Sequence, residues 1–418
     1  MTFKKVDEDM NILFLTLSKM EDIRQRGIYT DLVRELSSRG VNVYIVSPRQ
    51  KRENLPTELS KEGNIKVLKV KTGNITATKS FIEKGISTLM IEYQYLKAIK
   101  DNFKDIKFDM IMYSTPPITF NKIIKYYKKH HNSKTYLILK DIFPQNAVDI
   151  GLMKKDGILY NMFRKKEISL YNNSDFIGCM SYGNLDYILQ HNNYVTKNKL
   201  EIFPNAIEPI EKKQKTSKDK QILDKYKIPE DTTLFVYGGN LGKPQGIDFV
   251  IKIVDEFYKV ENGHLLIVGS GTEFNKINTH IENSKPLGVS IFERLPKEEY
   301  DKLIGCADVG LIFLDYRFTI PNFPSRLTSY MENSLPILAA TDKNTDIKDV
   351  LLESKSGLWC ESTDENKFIK HAQKLSSEKE LRENMGLSGR KYLEDNYDIR
   401  KTVDILLNHL LEGDAQNV

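Results

Sequence analysis

Asn11-Ile-Leu-Phe-Leu-Thr-Leu17, then a loop from Ser18 to Gly27, then Ile28, Leu32 and Leu36 at helical spacing, then Gly40 and Val41 to Val46: this opening decides the fold. The first run is short, apolar and bounded by polar residues, which suits the centre of a parallel sheet. Gly40 ends the helix, and the run that follows is the next strand. A strand, loop, helix and strand in this order open a doubly wound α/β sheet.

The alternation continues outward. Strands are expected at 65–70, 108–113, 135–139, 176–179 and 200–202, with helices over 82–103 and 118–130. Residues 204–221 then read as a linker, because they contain Pro204 and Pro209 and run into Lys212, Lys213, Lys215, Lys218 and Lys220. The second half restarts the pattern, with strands at 233–237, 264–268, 289–292, 309–314 and 336–340. Helices are expected over 247–258, 297–304, 327–333, 365–375, 378–396 and 403–411. Two Rossmann-like domains are therefore expected, over 1–203 and 222–395.

Composition narrows the class. With 418 residues, 40% of them hydrophobic and 28% charged, the chain can fill two ordinary globular cores. The net charge of +5 does not demand a nucleic-acid partner, and none is expected. Cys179, Cys306 and Cys360 are scattered, which argues against a disulfide scaffold and a structural zinc site. The apolar stretch from Met10 to Leu17 follows Asp7, Glu8 and Asp9, unlike a leader peptide. No run approaches the ~18 apolar residues of a spanning helix, so a cytoplasmic location is expected. Two basic clusters stand out: Lys125, Lys128 and Lys129, then Lys154, Lys155, Arg164, Lys165 and Lys166. The second is interleaved with Leu152, Met153, Ile158, Leu159, Tyr160, Met162 and Phe163. Such a helix either lies on an anionic membrane surface or presents a solvated face.

In open α/β sheets ligands bind at the carboxyl ends of strands, near the point where strand order reverses. Five such ends carry candidate residues. Gly238-Gly-Asn-Leu-Gly-Lys-Pro-Gln-Gly246 can bring backbone N–H groups and Lys243 to a phosphate, or be a plain turn. Val268-Gly-Ser-Gly271 offers the same choice. Phe292-Glu-Arg-Leu-Pro296 could flank a flat base, with Arg294 stacked on it or merely exposed. Pro321-Asn-Phe-Pro-Ser-Arg-Leu-Thr-Ser-Tyr-Met331 starts a helix at Pro324 and Ser325. Arg326 falls in its first turn, where a cation opposes the helix dipole by roughly 0.3–1 kcal/mol. A bound anion would reverse that conflict. Asp141-Ile-Phe-Pro-Gln-Asn-Ala-Val-Asp149 sets a carboxylate and two amides where a polyol could bind, or a helix could be capped.

As an ordered set, Gly239 to Gly246, Val268 to Gly271, Cys306-Ala-Asp-Val309, Pro324-Ser-Arg326, Tyr330-Met331 and Leu335-Pro336-Ile337 resemble the retaining glycosyltransferases of family 4. The Gly27 loop, Asp141 to Pro144 and Pro204-Asn-Ala206 agree, so the resemblance spans nearly the whole chain. It is closest to members that build bacterial capsule, O-antigen or other envelope polysaccharides. It implies the GT-B fold, two Rossmann-like domains facing each other across a cleft. The segment 396–418 would then pack back on the first domain. The implied donor is a UDP-sugar carrying a HexNAc or a 6-deoxy amino sugar. The implied acceptor is an undecaprenyl-diphosphate-linked glycan at the inner membrane face. No metal or other cofactor is implied.

The same resemblance assigns roles. Gly239, Asn240, Gly242, Lys243 and Gln245, with Gly269 and Gly271, would lie around the donor diphosphate. Pro324, Ser325, Arg326 and Leu327 would hold it at the helix start. Arg294 and Leu295 would flank the base. Gly27 would face the donor sugar or acceptor, and Asp141 the transferred sugar or acceptor. Asp141, Lys243 and Arg326 are the expected catalytic set. The family usually has two glutamates where this chain has Pro321 and Ser329. Glu332, on a neighbouring part of the same helix face, is the expected substitute on the ribose. Two other readings fit these residues: a nucleotide-sugar 2-epimerase of the same fold, and a non-catalytic partner subunit.

Overall fold

The computed structural model describes residues 10–75, 81–211 and 218–411, with side chains from 87 onward in the helix Phe81–Asn102. The chain divides at Glu208–Pro209 and again at Tyr397–Asp398 into two compact units.

The first unit holds an eight-stranded sheet. Its strands are β1 Asn11–Leu15, β2 Asn42–Gln50, β3 Glu58–Glu62, β4 Ile65–Thr72, β5 Met110–Ser114, β6 Lys134–Leu139, β7 Phe176–Cys179 and β8 Leu200–Ile202. Their order is β3-β4-β2-β1-β5-β6-β7-β8, and only β3 runs antiparallel to its neighbour. Order reverses between β1 and β5, whose carboxyl ends lead into the Gly27 loop and into Ser114-Thr-Pro-Pro117. β1 and β5 are buried almost throughout, as strands covered on both faces must be. β3 was not expected. All five of its side chains are exposed and three are charged, so it shows no apolar alternation to read. Charge on such a strand also guards the sheet edge.

The second unit holds β9 Thr233–Asn240, β10 Gly263–Ser270, β11 Val289–Phe292, β12 Val309–Phe313, β13 Ile337–Thr341 and β14 Gly357–Glu361. All are parallel, in the order β11-β10-β9-β12-β13-β14, with reversal between β9 and β12. β9 runs three residues beyond its expected end at 237. The ladder continues through Gly269 opposite Gly239 and Ser270 opposite Asn240. Gly238 and Gly239 thus belong to the strand, and the turn begins after Asn240.

The expected linker is corrected at both ends. Asn205 and Ala206 are buried with the first unit, and the chain crosses at 208–209. At the other end Asp219 caps the helix Lys220–Lys225 through Gln221 N and Ile222 N, and Ile222 and Leu223 are buried. Lys218 pairs with Asp308 at 2.6 Å. Lys212, Lys213 and Lys215 lie outside the described residues.

The helix Ile399–Leu411 belongs to the first unit. It buries Ile399, Val403, Leu406, Leu407 and Leu410, each contributing about 1.5–3 kcal/mol of gross hydrophobic stabilisation. The Arg39 guanidinium meets Asp404 at 3.0 Å, and His409 Nε2 meets the Glu201 carboxylate at 2.9 Å. Tyr136 donates to the same carboxylate at 2.6 Å. Among the described residues no helix is long and apolar enough to cross a membrane.

Candidate functional site

Two strand-end clusters carry the candidate residues, one in each unit. In the second unit the cluster sits where β9 and β12 diverge. Gly239 has φ 139°, a conformation side chains rarely adopt, and a Cβ there would lie 3.1 Å from Arg326 Nη2. The bare glycine lets the guanidinium lie against the backbone. Beyond it, Gln245 is buried, and its Oε1 accepts from Asn240 Nδ2 at 2.8 Å and Gly242 N at 3.1 Å. Asn240 and Gln245 therefore brace the loop around Gly242. Lys243, at the head of the next turn, is exposed.

Gly269 and Gly271 answer to packing. A Cβ on Gly269 would lie 1.9 Å from the Gly239 carbonyl oxygen, and one on Gly271 2.1 Å from that of Leu241. Gly269 is inside β10 rather than beyond it, which corrects its reading as a turn residue. These glycines let the loop of β9 pack closely in place.

Arg326 begins the seven-residue helix Arg326–Glu332. Its cation opposes the dipole, as the sequence implies, but a ring already shares the conflict. The guanidinium carbon lies 4.4 Å from the Tyr237 ring centroid. Nη1 is buried and has no hydrogen-bond partner among the described residues. The helix is pinned to β9 by Tyr330, which donates to Val236 O at 3.2 Å and accepts from Gly238 N at 3.3 Å. Pro324 is half-buried and Ser325 exposed, with no capping bond from the Ser325 hydroxyl. Arg294 is exposed and Leu295 half-buried beyond β11.

Two readings are corrected here. Leu327 is fully buried, so its side chain packs in the core and cannot meet a donor. Glu332 accepts from Ile210 N at 3.1 Å through Oε1, tying down the start of this unit. Ser329 is half-buried, and its carbonyl takes Asn333 N. Since the Glu332 acceptor is already engaged, Glu332→Gln should leave nucleotide affinity unchanged within about twofold. A tenfold loss in a binding titration would restore the ribose role.

In the first unit Asp141 follows β6. The Thr115 hydroxyl accepts from Lys140 N at 3.1 Å and Asp141 N at 3.2 Å, which fixes the strand end. Burial pushes the Asp141 carboxyl up to about 6, partly offset by Asn146 Nδ2 donating to Oδ1 at 2.6 Å. Asn146 Oδ1 is buried with no partner among the described residues. Next to it, burial lowers the Lys140 amine to about 7. That amine donates to Asn205 Oδ1 at 2.5 Å and lies 4.6 Å from the Tyr29 ring centroid.

Gly27 joins this cluster through Tyr29, two residues on. Its own backbone is extended, and its N–H donates to Asp31 Oδ1 at 2.9 Å. Asp31 also accepts from Arg34 at 2.7 Å and from Glu208 N at 3.0 Å, so the loop is anchored at a carboxylate. Among the described residues no three His, Cys, Asp or Glu side chains group as metal ligands would.

A pH test follows from Asp141. Its folded value lies above the ordinary 3.8, so folding favours the protonated form. The Asp141 contribution to stability should therefore fall as pH rises from about 4 to about 6 and then level off. Asp141→Asn should raise Tm at pH 8, and the gain should shrink towards zero near pH 4. A gain that persists unchanged at pH 4 would rule out carboxyl titration as its source.

Sequence reasoning gave no role to Tyr237, Tyr300, Lys140 or Thr115, and named Tyr330 only within the family motif. Tyr237 carried a faint signal, the residue directly before a Gly-Gly pair at a strand end.

Residues 218–392 match the family model described as Glycosyl transferases group 1. A curated relative, probable glycosyltransferase WbjE of Pseudomonas aeruginosa, is 23% identical over 272 residues. That match covers 65% of this chain and 66% of the relative, just under two thirds. The structure of sucrose-phosphate synthase from Thermosynechococcus elongatus aligns with a TM-score of 0.74 at 14% identity, over 98% of this chain and 100% of its own. Anabaena HepE in complex with UDP and glucose aligns with a TM-score of 0.67 at 12% identity, over 97% and 100%. At such identities the solved structures speak for the fold, which is α/β of the GT-B type. Within that fold, the stretch from 218 to 392, with the β9 loop and Arg326 inside it, is similar to the glycosyl transferases group 1 family.

Proposed function

We propose that the protein is a glycosyltransferase that moves a sugar from a UDP-sugar to a lipid-linked glycan, with retention at the anomeric carbon and without a metal ion. The observation that carries this reading is Arg326. A buried guanidinium nitrogen without a hydrogen-bond partner among the described residues, beside a bare glycine at a strand-order reversal, suits a diphosphate oxygen. WbjE is described as a probable glycosyltransferase, and HepE was solved with UDP, which supports the same class of donor.

In this reading the bond from the anomeric carbon to the UDP oxygen breaks, and its electron pair leaves with the phosphate. The acceptor oxygen attacks from the same face, and its proton passes to the departing phosphate oxygen. Arg326 and exposed Lys243 meet the developing charge, the preorganised electrostatics that dominate many enzymatic rates. The second unit holds the donor nucleotide, and Asp141 is the residue of the first unit suited to binding a sugar hydroxyl. The transferred group is a HexNAc or a 6-deoxy amino sugar, and the pathway is surface polysaccharide synthesis.

The basic segment of the first unit supports a membrane-held acceptor such as an undecaprenyl-diphosphate glycan. Leu152, Ile158 and Leu159 are 55%, 90% and 59% exposed, beside exposed Lys154 and Lys155. Apolar tips among lysines suit the surface of an anionic leaflet. Protein that stays in solution with anionic vesicles at low salt, and is fully active on soluble acceptors, would argue against this contact.

The first test is thermal stabilisation by UDP, GDP and ADP, each with EDTA present. A shift with UDP alone supports the UDP-sugar, metal-free reading. A shift only after a divalent ion is added would overturn metal independence. No shift with any of them would favour a non-catalytic subunit.

A further inference from the structure

Arg326 is a cation held against a ring. No carboxylate pairs with it among the described residues, and its guanidinium carbon lies 4.4 Å from the Tyr237 centroid. The Tyr237 ring is itself immobilised. It is buried, it packs at 5.6 Å against Phe313, and its hydroxyl donates to Asn240 O at 2.6 Å. Tyr300 closes over the neighbouring strand end: a Cβ on Gly238 would fall 1.7 Å from its hydroxyl oxygen.

A carboxylate would hold an arginine more tightly than a ring does. It would also take up two of the donors and cancel the charge, leaving less for a phosphate. A ring face fixes the guanidinium plane while its N–H groups remain free at the edge.

We propose that Tyr237 is a positioning residue whose ring face aims Arg326 at the distal phosphate, so that the protein prefers a nucleoside diphosphate to the monophosphate. This rests on the donor-site reading above. The preference belongs to the pair, since the arginine supplies the charge and the tyrosine its direction.

The probes are UDP, GDP and ADP, each against its monophosphate, with affinities from calorimetric titration. The variants are Tyr237→Phe, phenylalanines carrying one, two or three ring fluorines at 237, and Arg326→Ala. Fluorine drains the ring face while barely changing its shape, so Tm should stay level across the series. Tyr237→Phe also removes a hydroxyl that lies close to Arg326, so it sets the reference preference for the fluorine series. With each added fluorine that preference should fall, by about tenfold at the third. A preference that is flat across the fluorine series, while Arg326→Ala lowers it, would overturn the role of Tyr237. A preference untouched by Arg326→Ala, or no nucleotide bound at all, would instead remove the donor-site reading beneath it.

Discussion

Arg326→Ala lowers kcat/KM for sugar transfer by about 10²–10³-fold, the range for deleting one preorganised donor at a developing charge. The loss should appear in nucleoside diphosphate affinity as well, because the guanidinium meets the phosphate in both ground and transition states. The fold should survive, since Arg326 is half-buried, Leu327 and Tyr330 still pack, and Tyr330 still bonds Val236 O at 3.2 Å. Arg326→Lys should recover part of the rate. A lysine restores the charge but not the planar fork or its stacking on Tyr237. Steady-state kinetics with Tm as a control decide the matter. A loss of less than threefold would mean that the buried guanidinium serves only the packing of β9.

Gly269→Ala destabilises the second unit by about 3 kcal/mol, at the upper end for overpacking a closed site. The new Cβ would lie 1.9 Å from the Gly239 carbonyl oxygen. That oxygen belongs to the β9 backbone, so the strand must move, and with it the glycine against which Arg326 lies. For a unit of this size the drop corresponds to about 6–12 °C in Tm. Calorimetry should show one transition moving while the other stays. Gly305 is the contrasting position, exposed in the helix Lys297–Cys306 with nothing within 4 Å of a Cβ. Gly305→Ala should stabilise by about 0.5–1 kcal/mol. Equal effects at the two positions would sink the packing argument.

The alternating strands and helices were legible because each rests on a local pattern. Leu13 and Phe14 declare a buried strand without reference to any partner. β3 was illegible because its exposed residues carry no period, and the helix Lys220–Lys225 because lysines masked Ile222 and Leu223. In the site, Arg326 could be singled out from its conflict with the helix dipole. Its partner Tyr237 could not, because the two meet only once β9 and the helix are packed together. For Gly269 and Gly271 the sequence could not show the packing need, because the Gly239 and Leu241 carbonyls come close only once the strands are paired. Glu332 looked free on the helix face until Ile210 N was placed against it. Nothing local in the sequence marks an acceptor already in use.

The return of the helix Ile399–Leu411 to the first unit sets an order of assembly during synthesis. The second unit is one continuous stretch, 209–397, and can complete itself as soon as that stretch leaves the ribosome. The first unit begins earlier but finishes later. Until residues 398–411 emerge, the surface meant for Leu406 and Leu407 stays bare, and Glu201 waits for His409. The domain translated first is therefore the last to close, and a chain truncated after residue 397 would present a finished second unit beside an open first one.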